Sequence, residues 1–79
     1  MFILMEQVAY EGGSLLGVFD SLGAALSHVQ EINHLRVPPE LESRDLSKTY
    51  RVPYGATALW VAEDSQQGDV TYEIWAVAV

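Results

Sequence analysis

The sequence predicts an α+β fold, a four-stranded and mainly antiparallel sheet in the order β-β-α-β-β with one helix packed on one face. Two observations carry this prediction. Residues 70–79 are apolar at most positions on both faces of a strand, which is typical of the middle of a sheet or of a covered edge. Residues 22–32 instead repeat apolar side chains with the period of a helix. Residues 1–79 are expected to form a single domain, in which 37–55 is a long connecting segment.

The first two strands are predicted to form a hairpin. The first strand covers residues 2–10, and the second covers residues 15–19. Between them Glu11–Ser14 supplies a turn, because its two glycines accept the positive φ that tight hairpins require. Odd-numbered residues from Met1 to Met5 point to one face of the first strand, and even-numbered residues point to the other.

A helix is predicted from about residue 21 to about residue 35. Either Asp20 or Ser21 can cap its first amide groups, and Pro38 requires it to end beforehand. Gly23 costs roughly 1 kcal/mol relative to alanine in the first turn, and a close approach of the helix to the sheet is the expected reason. The apolar stripe consists of Leu22, Ala25, Leu26, Val29 and Ile32.

The second half of the chain is predicted to contain another hairpin. A strand at 57–63 is followed by a polar loop at 64–69 and by the closing strand at 70–79. Residues 50–55 are interpreted as a short edge strand, because Pro53 cannot donate a hydrogen bond in the middle of a sheet.

One helix cannot cover both faces of this sheet. The opposite face needs a second cover, for which the sequence leaves three candidates: the segment 37–55, a second copy of the chain, or a foreign protein. The side chains predicted to form an interaction surface are Trp60, Trp75, Val77, Tyr50 and Tyr54.

The net charge is −7, from eleven acidic and four basic residues. This balance argues against direct nucleic-acid binding, which requires basic side chains to neutralise phosphates. All four basic residues lie within 36–51, and the acidic residues outside this segment are interpreted as keeping a small apolar protein soluble.

The chain has no cysteine, which excludes disulfides and thiolate metal sites. Its apolar runs are too short to cross a bilayer, and its first residues lack the features of a signal peptide. A cytoplasmic protein without a membrane partner is therefore expected.

No residue pattern predicts a catalytic, cofactor-binding or metal-binding site, and the protein is expected not to be an enzyme. His28 and His34 are six residues apart, which does not match the spacing of helical zinc ligands. The acidic residues around the loop 64–69 lack the alternating oxygen ligands of a calcium loop. None of the serines lies in a recognisable nucleophile motif.

The stretch Glu11–Ser21 (EGGSLLGVFDS) and the ending Tyr72–Trp75 (YEIW) carry a resemblance. Together with the first hairpin they resemble small domains of unknown function from bacteria and their phages. The resemblance covers about the first 35 residues and the last 10, and residues 36–55 match nothing in it. It implies a β-β-α-β-β fold, is compatible with a phage origin, and supplies no catalytic residue.

Three hypotheses for the function follow. The first is a non-enzymatic protein–protein interaction module, phage-encoded, that binds and modulates a host protein through an apolar sheet face, with a homodimer expected. The second is an acidic counter-defence inhibitor, an anti-CRISPR or anti-restriction protein that mimics nucleic acid. The third is a small-ligand binding domain with aromatic side chains lining a pocket between subunits. Salt separates the first two, because ionic mimicry weakens with ionic strength and apolar docking does not.

Overall fold

A computed structural model describes residues 1–37, 39–49, 51–63 and 68–78. In these residues one α-helix and five strands form an α+β fold, in which every pair of neighbouring strands is antiparallel. The elements are β1 (Phe2–Val8), β2 (Gly12–Phe19), α1 (Leu22–Ile32), β3 (Glu42–Arg44), a 3₁₀ turn (Leu46–Lys48), β4 (Ala56–Glu63) and β5 (Val70–Val77).

The strand order in the sheet is β2-β1-β5-β4-β3. The closing strand β5 therefore lies in the centre, which is one of the two positions that its apolar faces predict. Each of its faces contributes to a separate cluster of buried side chains. Ile74 belongs to the cluster beneath α1, whereas Trp75 belongs to the cluster on the opposite face.

The prediction of four strands is wrong by one, because β3 adds a short edge beside β4. Ser43 lies opposite Trp60 in this pairing. All three side chains of β3 are exposed, so no alternation of apolar and polar residues marks it as a strand. The expected edge strand at 50–55 is not found in its described part, 51–55, where Arg51 has a positive φ of 58° that interrupts an extended conformation.

The helix begins at the predicted cap. The Ser21 hydroxyl accepts a hydrogen bond from the Ala24 amide at 3.1 Å, which satisfies one of the free donors of the first turn. On the sheet side, α1 lies against β2, where the His28 and Phe19 rings are 5.4 Å apart. The second strand is therefore covered on its helix face.

The helix ends at Ile32, three residues before the expected end, in a Schellman motif. The Leu35 amide donates to the Gln30 carbonyl at 3.0 Å, and the His34 amide donates to Glu31 at 3.2 Å. His34 has the positive φ of 54° that this motif requires. The reversal therefore comes from local backbone hydrogen bonds several residues before the prolines.

A tyrosine fixes the end of the helix to the central strand. The Tyr72 hydroxyl donates to Asn33 Oδ1 at 3.1 Å, and the Asn33 amide group donates to the Val29 carbonyl at 3.0 Å. Tyr72 and Val29 both belong to the buried cluster beneath the helix. The hydrogen bonds and the apolar packing thus stabilise the same contact between α1 and β5.

The tip of the first hairpin lies earlier than predicted. The turn follows Val8, whose carbonyl accepts the Glu11 amide at 3.1 Å, and Tyr10 at its tip has a positive φ of 68°. Gly13 and Ser14 are instead paired with β1, where they continue the strand. Only one glycine of the pair, Gly12 with a φ of 94°, has the positive φ that was expected of both.

Gly23 does not mark a close approach of the helix to the sheet. A Cβ atom at this position would meet no atom within 4 Å, and the residue is exposed. The expected packing reason is therefore wrong, and Gly23 only lowers the stability of the first helical turn.

We expect Gly23→Ala to raise the free energy of unfolding by about 0.5–1 kcal/mol, because alanine loses less backbone entropy in a helix. Gly12→Ala is the matched control, since its Cβ would also meet no atom within 4 Å but its φ is +94°. That change should destabilise the fold by about 1–2 kcal/mol. Urea denaturation of both variants measures the difference, and equal effects would show that φ is not what separates the two sites.

Candidate interaction surface

The chain covers the second face of its own sheet over β4 and β5. Leu46, in the 3₁₀ turn, packs against the buried cluster of Leu59, Val61 and Trp75. Of the three candidate covers for this face, the segment 37–55 is therefore the one that lies over its β4–β5 half.

Asp45 holds the 3₁₀ turn in place. Its carboxylate accepts hydrogen bonds from the Ser47 hydroxyl at 2.7 Å and from the Ser47 amide at 2.9 Å. These bonds lower the pKa of Asp45 below its ordinary value. Because the pKa is lower in the folded state, the stabilisation is present at neutral pH and is lost as the pH falls through that lowered pKa.

Trp75 is 3% exposed beneath this cover, and its indole Nε1 has no hydrogen-bond acceptor among the described residues. An unsatisfied buried donor costs about 1–3 kcal/mol. Burying the ring removes about 150–250 Å² from water, which contributes about 4–6 kcal/mol. The apolar burial therefore outweighs the missing hydrogen bond, and Trp75 is a core residue.

A half-open groove of about 510 Å³ lies beside Trp75. Its polar side chains are partly paired already, since Gln7 Nε2 donates to Glu73 Oε1 at 2.9 Å. Gly13 makes room for this pair, because a Cβ atom there would lie 2.6 Å from the Gln7 amide oxygen. The groove is lined by Met5, Gln7, Gly13, Arg51, Pro53, Glu73 and Trp75.

The β1–β2 half of the second face carries exposed apolar side chains at its outer side, whereas Ile3 and Met5 are half-buried against the cluster around Trp75. In the pairing of these strands Val18 lies opposite Ile3, and Leu15 lies opposite Met5, so these side chains share one face. Leu15 is 61% exposed, Val18 is 53% exposed and Met1 is 46% exposed. We call these five residues (Met1, Ile3, Met5, Leu15 and Val18) the outer strip.

The two edges of the sheet differ in length and charge. The β3 edge is three residues long and carries an ion pair, with Arg44 Nη1 2.8 Å from Glu42 Oε2. The β2 edge is eight residues long and contains no charged residue and no proline. Short and charged edges resist pairing with another strand, whereas long, uncharged edges invite it. Of these two edges, β2 is therefore the one suited to pairing with a further strand.

The structure brings Trp75 and Val77 together and places Trp60 on the opposite face. Trp75 is buried on the second face and Val77 is half-buried beside it. Trp60 lies on the opposite face, with its ring centroid 6.1 Å from that of Phe2. Tyr54 is fully exposed in a turn, and Tyr50 lies outside the described residues.

Sequence analysis missed the outer strip, in which Met1, Leu15 and Val18 are exposed. A signal for them exists, because residues 15–19 are apolar on both faces while only one helix is available. The strand pairing was needed to show which of these side chains share a face with Ile3 and Met5.

Among the described residues, no group of three or more His, Asp or Glu side chains is arranged to hold a metal ion. The helix of the described part is too short and too polar to qualify as a membrane span. Comparison with protein-family models, with curated proteins and with solved structures found no match to this chain.

We expect Leu46→Ala to expose Trp75. The substitution removes the apolar contact between the 3₁₀ turn and the sheet, at a cost of about 1–2 kcal/mol because Leu46 is only half-buried. In a Trp60→Phe background, acrylamide quenching then reports on Trp75 alone, and its quenching constant should rise.

Leu41→Ala in the same background is the control, since Leu41 comes from the same segment but packs beneath the helix. It should destabilise the fold without raising the quenching of Trp75. Equal quenching in the two variants would contradict the role of Leu46 as the cover of this face.

Proposed function

We propose that this protein is a non-enzymatic interaction module, phage-encoded, that binds and modulates a host protein. The observation that carries the proposal is the outer strip, which leaves three large apolar side chains about half exposed or more on one face. A contiguous apolar surface of this kind usually marks an interaction site in a soluble protein. The phage source rests on the resemblance of Glu11–Ser21 and Tyr72–Trp75 alone.

The arrangement of the strip supports docking of a protein rather than of a small molecule. Its side chains lie across two neighbouring strands, Val18 beside Ile3 and Leu15 beside Met5. An extended apolar surface suits a protein partner, whereas ligand sites are concave and enclose their ligand. The groove beside Trp75 is half-open and part of its polar lining is already hydrogen-bonded, so it favours the ligand hypothesis less.

The acidic-mimic hypothesis has less support from the placement of the carboxylates. Glu6 and Glu73 lie on neighbouring strands but belong to opposite faces, because Glu6 faces Tyr72 and Glu73 faces Met5 in the pairing. Glu31 is on the helix, and Glu42 is engaged with Arg44. A mimic of nucleic acid would present its negative charges in rows on one surface.

A second copy of the chain is the other candidate partner for the outer strip. Each copy has a net charge of −7, so two copies repel each other until salt screens the charge. Association of two copies through the outer strip is therefore expected to be favoured by high salt.

The test is capture of partners from bacterial lysate by three forms of the protein at about 0.1 M and about 0.5 M salt. The first is the unaltered chain, and the second carries Leu15→Ser and Val18→Ser in the outer strip. The third carries Val37→Ser and Val52→Ser, which change two exposed apolar residues elsewhere. All three should fold, since exposed substitutions usually cost little.

The unaltered chain and the Val37/Val52 variant should retain the same host protein at both salt concentrations. The Leu15/Val18 variant should retain at least about tenfold less, because it loses the burial of two apolar side chains, each of which contributes about 1.5–3 kcal/mol when fully buried. Identical capture by all three forms would refute the outer strip as the binding surface. A nucleic-acid-binding enzyme that is captured at low salt and lost at high salt would favour the acidic-mimic hypothesis instead.

A further inference from the structure

The β2 edge of the sheet has free hydrogen-bonding groups along its outer side. In the described part of the chain, β1 is the only strand that pairs with β2. The amide and carbonyl groups that point away from β1 are therefore available to another strand.

The edge is regular enough to pair. A bulge at Leu16 interrupts the register with β1, but Gly12–Leu15 and Gly17–Phe19 are in continuous register on either side of it. A strand added at this edge would also lie next to Leu15 and Val18, whose exposed side chains are on one face. The β2 edge can therefore provide both backbone hydrogen bonds and apolar contacts to the same added strand.

Charge determines which kind of strand fits. Glu11 and Asp20 flank β2, both are exposed, and no charged residue lies between them. Residues 1–35 contain four acidic residues and no lysine or arginine, so β1, β2, α1 and their connections contribute acidic side chains and no lysine or arginine. The four basic residues lie within 36–51, which includes the opposite edge strand β3. One of them, Arg51, lines the groove beside Met5 and Gly13.

We propose, on the basis of the proposed function, that β2 binds an extended segment of another protein by β-strand addition, and that this segment has an apolar centre with lysine or arginine at both ends. The central residues of the segment pair with the uncharged edge, and its basic ends lie near Glu11 and Asp20. These two carboxylates are nine positions apart in the sequence. The basic residues of the partner segment are therefore about nine residues apart.

The charges of Glu11 and Asp20 disfavour a second copy of this chain at the β2 edge. An antiparallel pair of β2 strands centred between Leu15 and Leu16 would place Glu11 of each copy opposite Asp20 of the other. Like charges opposite each other destabilise a strand pair, whereas a basic-ended strand gains from the same two carboxylates.

The test uses synthetic peptides and the full chain labelled with ¹⁵N. One peptide alternates valine and threonine between two lysines nine residues apart, a second replaces both lysines by glutamate, and a third has proline at its centre. We expect the lysine-ended peptide to shift the amide resonances of residues 12–19. The glutamate-ended peptide should bind at least about tenfold more weakly, and the proline peptide should not bind, because it cannot complete the ladder.

Two protein variants with the same net charge distinguish the effect of the two flanking carboxylates from the effect of the net charge. Glu11→Gln with Asp20→Asn should weaken binding of the lysine-ended peptide by about two- to tenfold. Glu31→Gln with Glu40→Gln removes two exposed carboxylates elsewhere and should leave the affinity nearly unchanged. Asp20 is not the helix cap, which is Ser21, so neither variant removes a capping group.

Amide shifts centred elsewhere than residues 11–20, or equal affinity for the lysine-ended and glutamate-ended peptides, would overturn the inference. Sedimentation of the free protein as a dimer whose β2 amide resonances change on dilution would also overturn it in favour of a second copy. If no peptide binds while partner capture still depends on Leu15 and Val18, strand addition is refuted and the proposed function stands.

Discussion

The fold depends on the burial of both apolar faces of the central strand β5. Tyr72 and Ile74 are covered by the helix, and Trp75 on the other face needs a cover that the helix cannot supply. In a chain of 79 residues the remaining material is the connecting segment, which contributes Leu46. The central strand is therefore enclosed by two layers that come from different parts of the chain.

The two layers cover different areas of the sheet, and this difference determines where the candidate surface lies. The helix crosses β2, β1 and β5, whereas the 3₁₀ turn packs against the cluster on β4 and β5. On the outer faces of β1 and β2, Ile3 and Met5 pack against the cluster around Trp75, whereas Met1, Leu15 and Val18 remain about half exposed or more. The segment that forms β1 and β2 has acidic residues and no lysine or arginine, and Arg51 from the connecting segment lines the groove beside Met5.

Much of the fold could be predicted from residue patterns. The apolar faces of residues 70–79 indicated a central strand or a covered edge, and Ser21 was one of the two residues considered as the helix cap. The position of β3 could not be predicted, because its stability comes from pairing with β4 and its side chains are exposed. The end of the helix was placed too late, since the apolar period does not show that His34 adopts a positive φ.

The candidate surface was harder to predict than the fold. Trp60 and Trp75 were assigned to one interaction surface, but the register pairs Trp60 with Ile74 and Leu59 with Trp75, which puts the two tryptophans on opposite faces. Leu15 and Val18 were assigned to the second strand, but neither was assigned to one of its two faces. Which face of a strand is exposed depends on the register and on long-range cover, and a single sequence determines neither directly.

The measurement that tests this account most directly is residue-level amide hydrogen exchange of the dilute, free protein. If β5 is enclosed on both faces and β2 is an open edge, the amides of residues 70–77 exchange only through global unfolding. The outward-pointing amides of residues 12–19 should then exchange at least about a hundredfold faster. Equal protection of β2 and β5 in the monomer, or fast exchange throughout β5, would contradict the account.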